Sequence, residues 1–141
     1  TELTREDLKE KLDALSSILT NTSIDINKYS KINLIGKSLG AIVASYFLAN
    51  YENSHLLNKV SLSVLGYVKS GIDLTRLIVK NIIKGEKDRF ENIDEVKKDF
   101  EDKNLSQISF IEICNADNGY RNSDKEPVFE DLAVEALFKN L

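Results

Sequence analysis

The chain has 141 residues, of which 42% are apolar and 30% are charged, and its formal net charge at pH 7 is −4. These values are typical of one globular domain, here residues 1–141, and an acidic balance without a cluster of Lys and Arg argues against a nucleic-acid-binding protein. The longest apolar run, residues 40–49, is too short to cross a bilayer, so we expect no membrane partner. One cysteine excludes an internal disulfide and suits the cytoplasm, and one histidine excludes the usual multi-histidine metal sites. We therefore expect a cytoplasmic protein with no metal and no cofactor.

The first predicted element is a helix over residues 4–20. Thr4 and Asp7 have the spacing of a capping box, in which side chains satisfy free backbone amides of the first turn. The apolar residues that follow recur at helical spacing, which predicts one inward-facing stripe. This stripe consists of Leu8, Leu12, Leu15, Ile18 and Leu19.

A strand, a turn and a helix follow in close succession. Residues 32–35 predict a strand covered on both faces, and residues 39–51 predict an apolar helix. The turn between them, Gly36-Lys-Ser-Leu-Gly40, fits the pattern G-x-S-x-G. Between a strand and a helix this pattern is typical of a nucleophile elbow, which exposes a serine Oγ above the end of a buried strand. Ser38 is then the candidate nucleophile, whereas the alternative interpretation is a simple Gly-Ser turn.

The residues around Ser38 suit an elbow. A serine on so tight a turn has a strained backbone, so neighbours without a Cβ, here Gly36 and Gly40, are expected to avoid clashes. The following helix directs its free amides and positive dipole end at the same place, where negative charge would develop.

Three further apolar stretches, residues 60–65, 79–84 and 108–114, predict strands, and a connector covers 70–77. A helix over 92–103 is predicted to begin with a capping box of Asn92 and Glu95.

The last predicted element is a helix with Pro127 in its first turn. Its apolar residues at helical spacing are expected to pack inward. They are Phe129, Leu132, Ala133, Ala136 and Leu137.

Alternation of helices with short apolar strands predicts an α/β fold, with a mostly parallel sheet of about four strands flanked by helices. Functional groups of such sheets collect at the carboxyl ends of the strands. Ser38, Asp88 and the loop Asp117-Asn-Gly119 each follow a predicted strand, so we expect them to converge.

These motifs resemble the C-terminal half or more of the α/β-hydrolase superfamily, in particular its small dienelactone-hydrolase-like branch without a large lid. The resemblance covers roughly residues 5–138. It rests on the turn Gly36-Lys-Ser-Leu-Gly40, on Leu65-Gly-Tyr67, on Gly85-Glu-Lys-Asp88 and on Asn115-Ala-Asp-Asn-Gly-Tyr-Arg121. It implies that Ser38 is the nucleophile, Asp88 the orienting acid, position 118 the base, and the Leu39 amide one oxyanion donor.

The sequence departs from that family in two respects. Position 118, where the resemblance implies histidine, is Asn118, which has no nitrogen that titrates near neutral pH and cannot remove the serine proton. The strands that normally precede the elbow, with the loop donating a second oxyanion amide, are missing, so the fold is expected to be truncated. Because the chain also has no Met, we expect a fragment, a processed chain, or a mature protein whose initiator Met was removed before Thr1.

The missing strands leave residues 32–35 as an apolar edge of the sheet, which is prone to pair with another strand. We expect this edge to be covered by a second copy, by a partner chain, or by the N-terminal helix.

Other candidate residues have simpler interpretations. His55 lies near the end of the elbow helix that is far from Ser38 and is expected at the surface. The alternative role for Asp88 is to cap the turn before Arg89, and Cys114 is expected to be a small core residue. Tyr120 and Arg121 form a candidate anion site, but pairing of Arg121 with a nearby carboxylate is the simpler expectation.

Two functions of different classes are consistent with these residues. One is a serine hydrolase of esterase or dienelactone-hydrolase type with an impaired triad, acting on a carboxylic ester or similar acyl substrate. The other is a catalytically inactive hydrolase fold that serves as a binding or assembly module.

Overall fold

The computed structural model describes residues 5–21, 25–50, 57–69, 78–101 and 105–141. The predicted connector over 70–77, the cap residue Thr4 and the surface residue His55 lie outside these ranges.

Four parallel strands form one sheet in the order β1-β2-β3-β4, which confirms the predicted α/β class. The strands are β1 (Ile32–Lys37), β2 (Val60–Leu65), β3 (Val79–Gly85) and β4 (Ser109–Ile113). In the register, Lys37 pairs with Leu65 and Gly85 pairs with Ile113, so the carboxyl ends of the strands form one edge of the sheet. The loops that leave this edge bring their polar side chains into a common region.

Four helices flank the sheet within the described residues: α1 (Arg5–Asn21), α2 (Leu39–Asn50), α3 (Ile93–Lys98) and α4 (Glu130–Lys139). The predicted capping box of α3 is confirmed, because Asn92 accepts from the Glu95 amide and Glu95 accepts from the Asn92 amide. The helix ends at Lys98, earlier than expected.

The core consists of two apolar clusters on opposite faces of the sheet. Val64 and Ile82 belong to the cluster beneath α2 and α3, whereas the next residues along each strand, Leu65 and Ile83, belong to the cluster beneath α4. Side chains alternate between the two faces of a strand, so this division follows from the strand period.

Three predictions about the helices are wrong. Pro127 precedes α4 by three residues instead of lying in its first turn, because the chain first makes a turn over residues 128–129. Ile18 of α1 is 58% exposed and Leu132 of α4 is 50% exposed, so neither packs inward. The buried faces of α1 and α4 are therefore narrower than the spacing of their apolar residues predicts.

Strand β1 is an edge strand, since it pairs only with β2 among the described strands. Its Ile35 side chain is 49% exposed. Helix α1 packs mainly against α2, and a groove of about 360 Å³ lies between α1, α2 and β1. The expected apolar edge is therefore present, and α1 does not close it.

Candidate functional site at the carboxyl ends of the strands

Ser38 forms the turn between β1 and α2 and has a backbone φ of 50°, in the left-handed region that non-glycine residues rarely adopt. Its amide donates to the Leu65 carbonyl at 2.8 Å, so the turn continues the pairing of β1 with β2. The Ser38 side chain is partly exposed and makes no hydrogen bond with the described residues. Strained backbone at an accessible hydroxyl is a feature of functional turns.

The two glycines of the turn differ in what surrounds them. A Cβ on Gly36 would lie 2.5 Å from Ala41 Cα, so only glycine allows α2 to cross so close to β1. A Cβ on Gly40 would meet nothing within 4 Å. The prediction that a residue without a Cβ is needed to avoid a clash is confirmed for Gly36 and is wrong for Gly40.

Leu39 is the first residue of α2, and its amide makes no hydrogen bond with the other described residues. Amides of a first helical turn have no partner within their helix, so this donor remains available at the Ser38 turn.

Gly66, the residue after β2, lies between Ser38 and Asn118. Its φ is 63°, and a Cβ there would lie 2.8 Å from Asn118 Nδ2. The Ser38 amide bonds to the Leu65 carbonyl, and the Asn118 carboxamide lies against Gly66, so the Ser38 backbone and the Asn118 side chain contact the same two-residue segment.

Asp88 and Asn118 are in direct contact. Asn118 Nδ2 donates to Asp88 Oδ2 at 2.9 Å. Asp88 Oδ1 accepts from the Phe90 amide at 3.0 Å, so the capping role considered for Asp88 is also present. The candidate acid and the candidate base position are thus paired, and Ser38 lies on the other side of Gly66.

Lys84 is a member of this site that the sequence analysis did not include. Its ammonium lies 2.7 Å from Asp88 Oδ2 and 3.0 Å from the Tyr67 carbonyl. The side chains of Lys84 and Asp88 are 1% and 0% exposed, so this is a fully buried ion pair. A lysine directly after the apolar pair Ile82-Ile83 and four residues before Asp88 is the available signal in the sequence, because lysine is almost never fully buried unless it is paired.

Tyr120 is a buried aromatic residue in the loop after β4. Its hydroxyl donates to the Ile83 carbonyl at 2.9 Å, and burial raises the pKa of the phenol above its ordinary value. The ammonium of Lys37 lies 5.4 Å from the centre of the Tyr120 ring. Tyr120 is therefore held in place by its packing and by its hydrogen bond to the Ile83 carbonyl.

A second polar cluster lies beside Lys84. The Tyr67 hydroxyl donates to Asp99 Oδ2 at 3.0 Å, and Lys69 pairs with the same carboxylate. Burial raises the pKa of Glu91, and the negative charge of Asp99 adds to this effect. Glu91 Oε2 is buried and has no hydrogen-bond partner among the residues that the structure describes.

Arg121 pairs with Asp117 at 3.1 Å, as expected, and Lys125 lies 3.3 Å from the same oxygen. Burial alone would raise the pKa of Asp117, but hydrogen bonds from the Arg121 and Gly119 amides, the Arg121 guanidinium and the Lys125 ammonium lower it to about 2. The carboxylate thereby holds the loop after β4 in shape.

Cys114 is exposed, so its prediction as a core residue is wrong. Strand β4 ends at Ile113, and the thiol then points to Glu86, whose carboxylate lies 3.3 Å away. The hydrogen bond to Glu86 raises the pKa of the thiol.

Within the described ranges, no three His, Cys, Asp or Glu side chains are grouped so that they could hold a metal ion. None of the helices described combines the length and the apolar character needed to cross a membrane.

Comparisons of the chain with protein-family models, with curated proteins and with solved structures found no match.

Proposed function

We propose that the chain is a serine hydrolase of the α/β-hydrolase type whose site binds a carboxylic ester or similar acyl compound and turns it over poorly. The observation that supports this most is the backbone of Ser38, a non-glycine residue with φ 50° between a strand and a helix, beside the close contact of Gly36 with Ala41. A nucleophile elbow requires this conformation.

The order of the groups along the strand ends also supports the proposal. Ser38 follows β1, Asp88 follows β3 and Asn118 follows β4, which is the chain order of nucleophile, acid and base in α/β-hydrolases. The Leu39 amide would be one oxyanion donor.

Poor turnover follows from the chemistry of Asn118. Its Nδ2 donates to Asp88, so the oxygen of the carboxamide is left to accept a hydrogen bond, but an amide oxygen does not take a proton near neutral pH. Removing the base of a serine triad lowers the rate of the chemical step by about 10⁶-fold.

The test is covalent labelling by a fluorophosphonate, followed by intact mass, of the parent chain and of Asn118→His. We expect the substituted chain to gain one label faster than the parent, because an imidazole at position 118 supplies the base. Adding Ser38→Ala should abolish the label, whereas adding Ser123→Ala, which removes an exposed hydroxyl elsewhere, should not. A label that survives Ser38→Ala would contradict the proposal, and so would failure of Asn118→His to label within hours both with Lys84 retained and with Lys84→Met.

A binding or assembly module is the second candidate, and the buried Lys84–Asp88 pair favours it. In this arrangement the candidate acid already has the Lys84 ammonium as its ion-pair partner. A chain of this type would bind an acyl compound or a partner protein at the same edge without activating Ser38.

We also propose that a second copy of the chain, or a partner chain, covers β1. The exposed Ile35 and Leu39 and the groove beside them support this, because apolar edge strands are normally paired or protected. Light scattering should give a mass above that of one chain, and Ile35→Lys should reduce it to one chain. A single-chain mass at micromolar concentration would contradict coverage by a second copy and would leave a partner chain as the occupant.

A further inference from the structure

The carboxylate of Asp88 accepts three hydrogen bonds from the described residues. Oδ2 accepts from Lys84 at 2.7 Å and from Asn118 at 2.9 Å, and Oδ1 accepts from the Phe90 amide at 3.0 Å. Two of these donors are neutral and one is a cation.

The Lys84 ammonium has the role that the protonated base has in a serine triad. In a serine triad the charge of the acid stabilises the imidazolium that forms when the base takes the serine proton. Here the ammonium of Lys84 already lies 2.7 Å from Asp88 Oδ2, within hydrogen-bond distance of the carboxylate. The negative charge of Asp88 is already balanced before any proton moves.

A balanced pair also suits a neutral residue at position 118. Lys84 and Asp88 are both buried, and their opposite charges largely cancel at short range, so little field remains to favour a second cation nearby. Asn118 adds a neutral donor to Oδ2 and requires no further charge.

We propose that Lys84 is a positioning residue that replaces the charge of a protonated base and thereby silences Asp88, so that the loss of activity has two causes, Asn118 and Lys84. The effect on catalysis rests on the proposed function, whereas the effect of the Lys84 charge on Asp88 does not depend on catalysis. A histidine introduced at position 118 alone restores only part of the triad.

The experiment compares Asn118→His in three backgrounds: with Lys84 retained, with Lys84→Met, and with Lys84→Gln. The glutamine variant keeps an N–H donor for Asp88 and for the Tyr67 carbonyl without the charge, so it covers the case in which Lys84→Met fails to fold. Lys87→Met is the matched control, because Lys87 lies next to Asp88 in the loop after β3 and its side chain is 63% exposed. Surface charges are largely screened by salt.

The first readout is the pKa of the introduced imidazole, measured by NMR. The parent contains one histidine, so the additional resonance belongs to position 118. Without the Lys84 charge, this pKa should rise by about one pH unit or more, because Asp88 becomes the partner of the imidazolium. Lys87→Met should leave it within a few tenths of a unit.

The second readout is the rate of fluorophosphonate labelling at Ser38, which should rise by about tenfold when Lys84 is replaced in the Asn118→His chain. An imidazole pKa that is the same with and without the Lys84 charge would overturn the inference, whatever the labelling rate. A raised pKa with no labelling in any background supports the inference and contradicts the proposed hydrolase function instead.

Discussion

The carboxamide of Asn118 is fixed by its hydrogen bond from Nδ2 to Asp88 Oδ2, at 2.9 Å. Because the acceptor is a buried carboxylate, this bond should contribute more to stability than a bond between neutral groups. We expect Asn118→Leu to lower the free energy of unfolding by about 1.5–3 kcal/mol, measured by urea denaturation. The lower end applies if Lys84 and the Phe90 amide continue to satisfy Asp88.

A double-mutant cycle with Asp88→Asn separates this bond from other effects of the substitution. The two changes should be less than additive, since each one removes the same charged hydrogen bond. Strict additivity would show that the contact makes no net contribution.

The backbone of Ser38 predicts a difference between two small substitutions. Ser38→Ala keeps a Cβ at φ 50°, whereas Ser38→Gly removes it and with it the steric cost of the left-handed region, about 1–2 kcal/mol. We expect the glycine variant to unfold with a free energy about 1 kcal/mol above that of the alanine variant, despite the greater freedom of glycine in the unfolded chain. Thermal and urea unfolding of the two variants measure this, and an alanine variant of equal or greater stability would contradict a strained turn.

The sequence predicts the order of elements and the strand ends well, because apolar periodicity and the glycine turn are local signals. Strand β2 has the predicted bounds, and the other three strands differ from prediction by one or two residues at an end. Ser38, Asp88 and Asn118 are predicted to converge because each follows a strand in a chain whose strands are parallel, whereas their roles come from the G-x-S-x-G pattern and from the family resemblance.

The sequence does not predict contacts between elements that are distant along the chain. The pairing of Lys84 with Asp88 depends on the inward direction of a side chain at the end of β3, and a lysine in a strand is ordinarily expected to face solvent. Cys114 was misassigned because its environment depends on β4 ending one residue earlier than predicted. The different surroundings of Gly36 and Gly40 depend on how α2 crosses β1.

The two elbow glycines predict opposite effects of the same substitution. Gly36→Ala would bring a Cβ to 2.5 Å from Ala41 Cα. Because the nearest atoms belong to the backbone of Ala41 and not to a flexible side chain, helix α2 must move. We expect a loss of about 1–3 kcal/mol in the free energy of unfolding. Gly40→Ala places its Cβ in open space within α2 and should raise that free energy by about 0.5–1 kcal/mol.

The matched pair is measured by urea denaturation of the single chain at low concentration. Equal effects of the two substitutions would contradict the described crossing of β1 and α2. If Gly40→Ala is stabilising in the single chain but weakens self-association in light scattering, the space beside Gly40 belongs to the interface proposed at β1.

Asp117 predicts how stability depends on pH in acid. Its pKa in the folded chain is about 2, below the ordinary 3.8, so the folded state favours the ionised carboxylate. The resulting contribution to stability is fully present above about pH 4 and is lost as pH falls toward 2. Asp117→Asn should therefore be less stable than the parent at pH 7, and the difference should shrink between pH 4 and pH 2. Lys125→Met removes one cationic donor and keeps the two amide donors, so NMR titration should find the pKa of Asp117 between the parent value and 3.8. A constant difference between parent and Asp117→Asn from pH 7 to pH 2 would contradict the assigned role of this carboxylate.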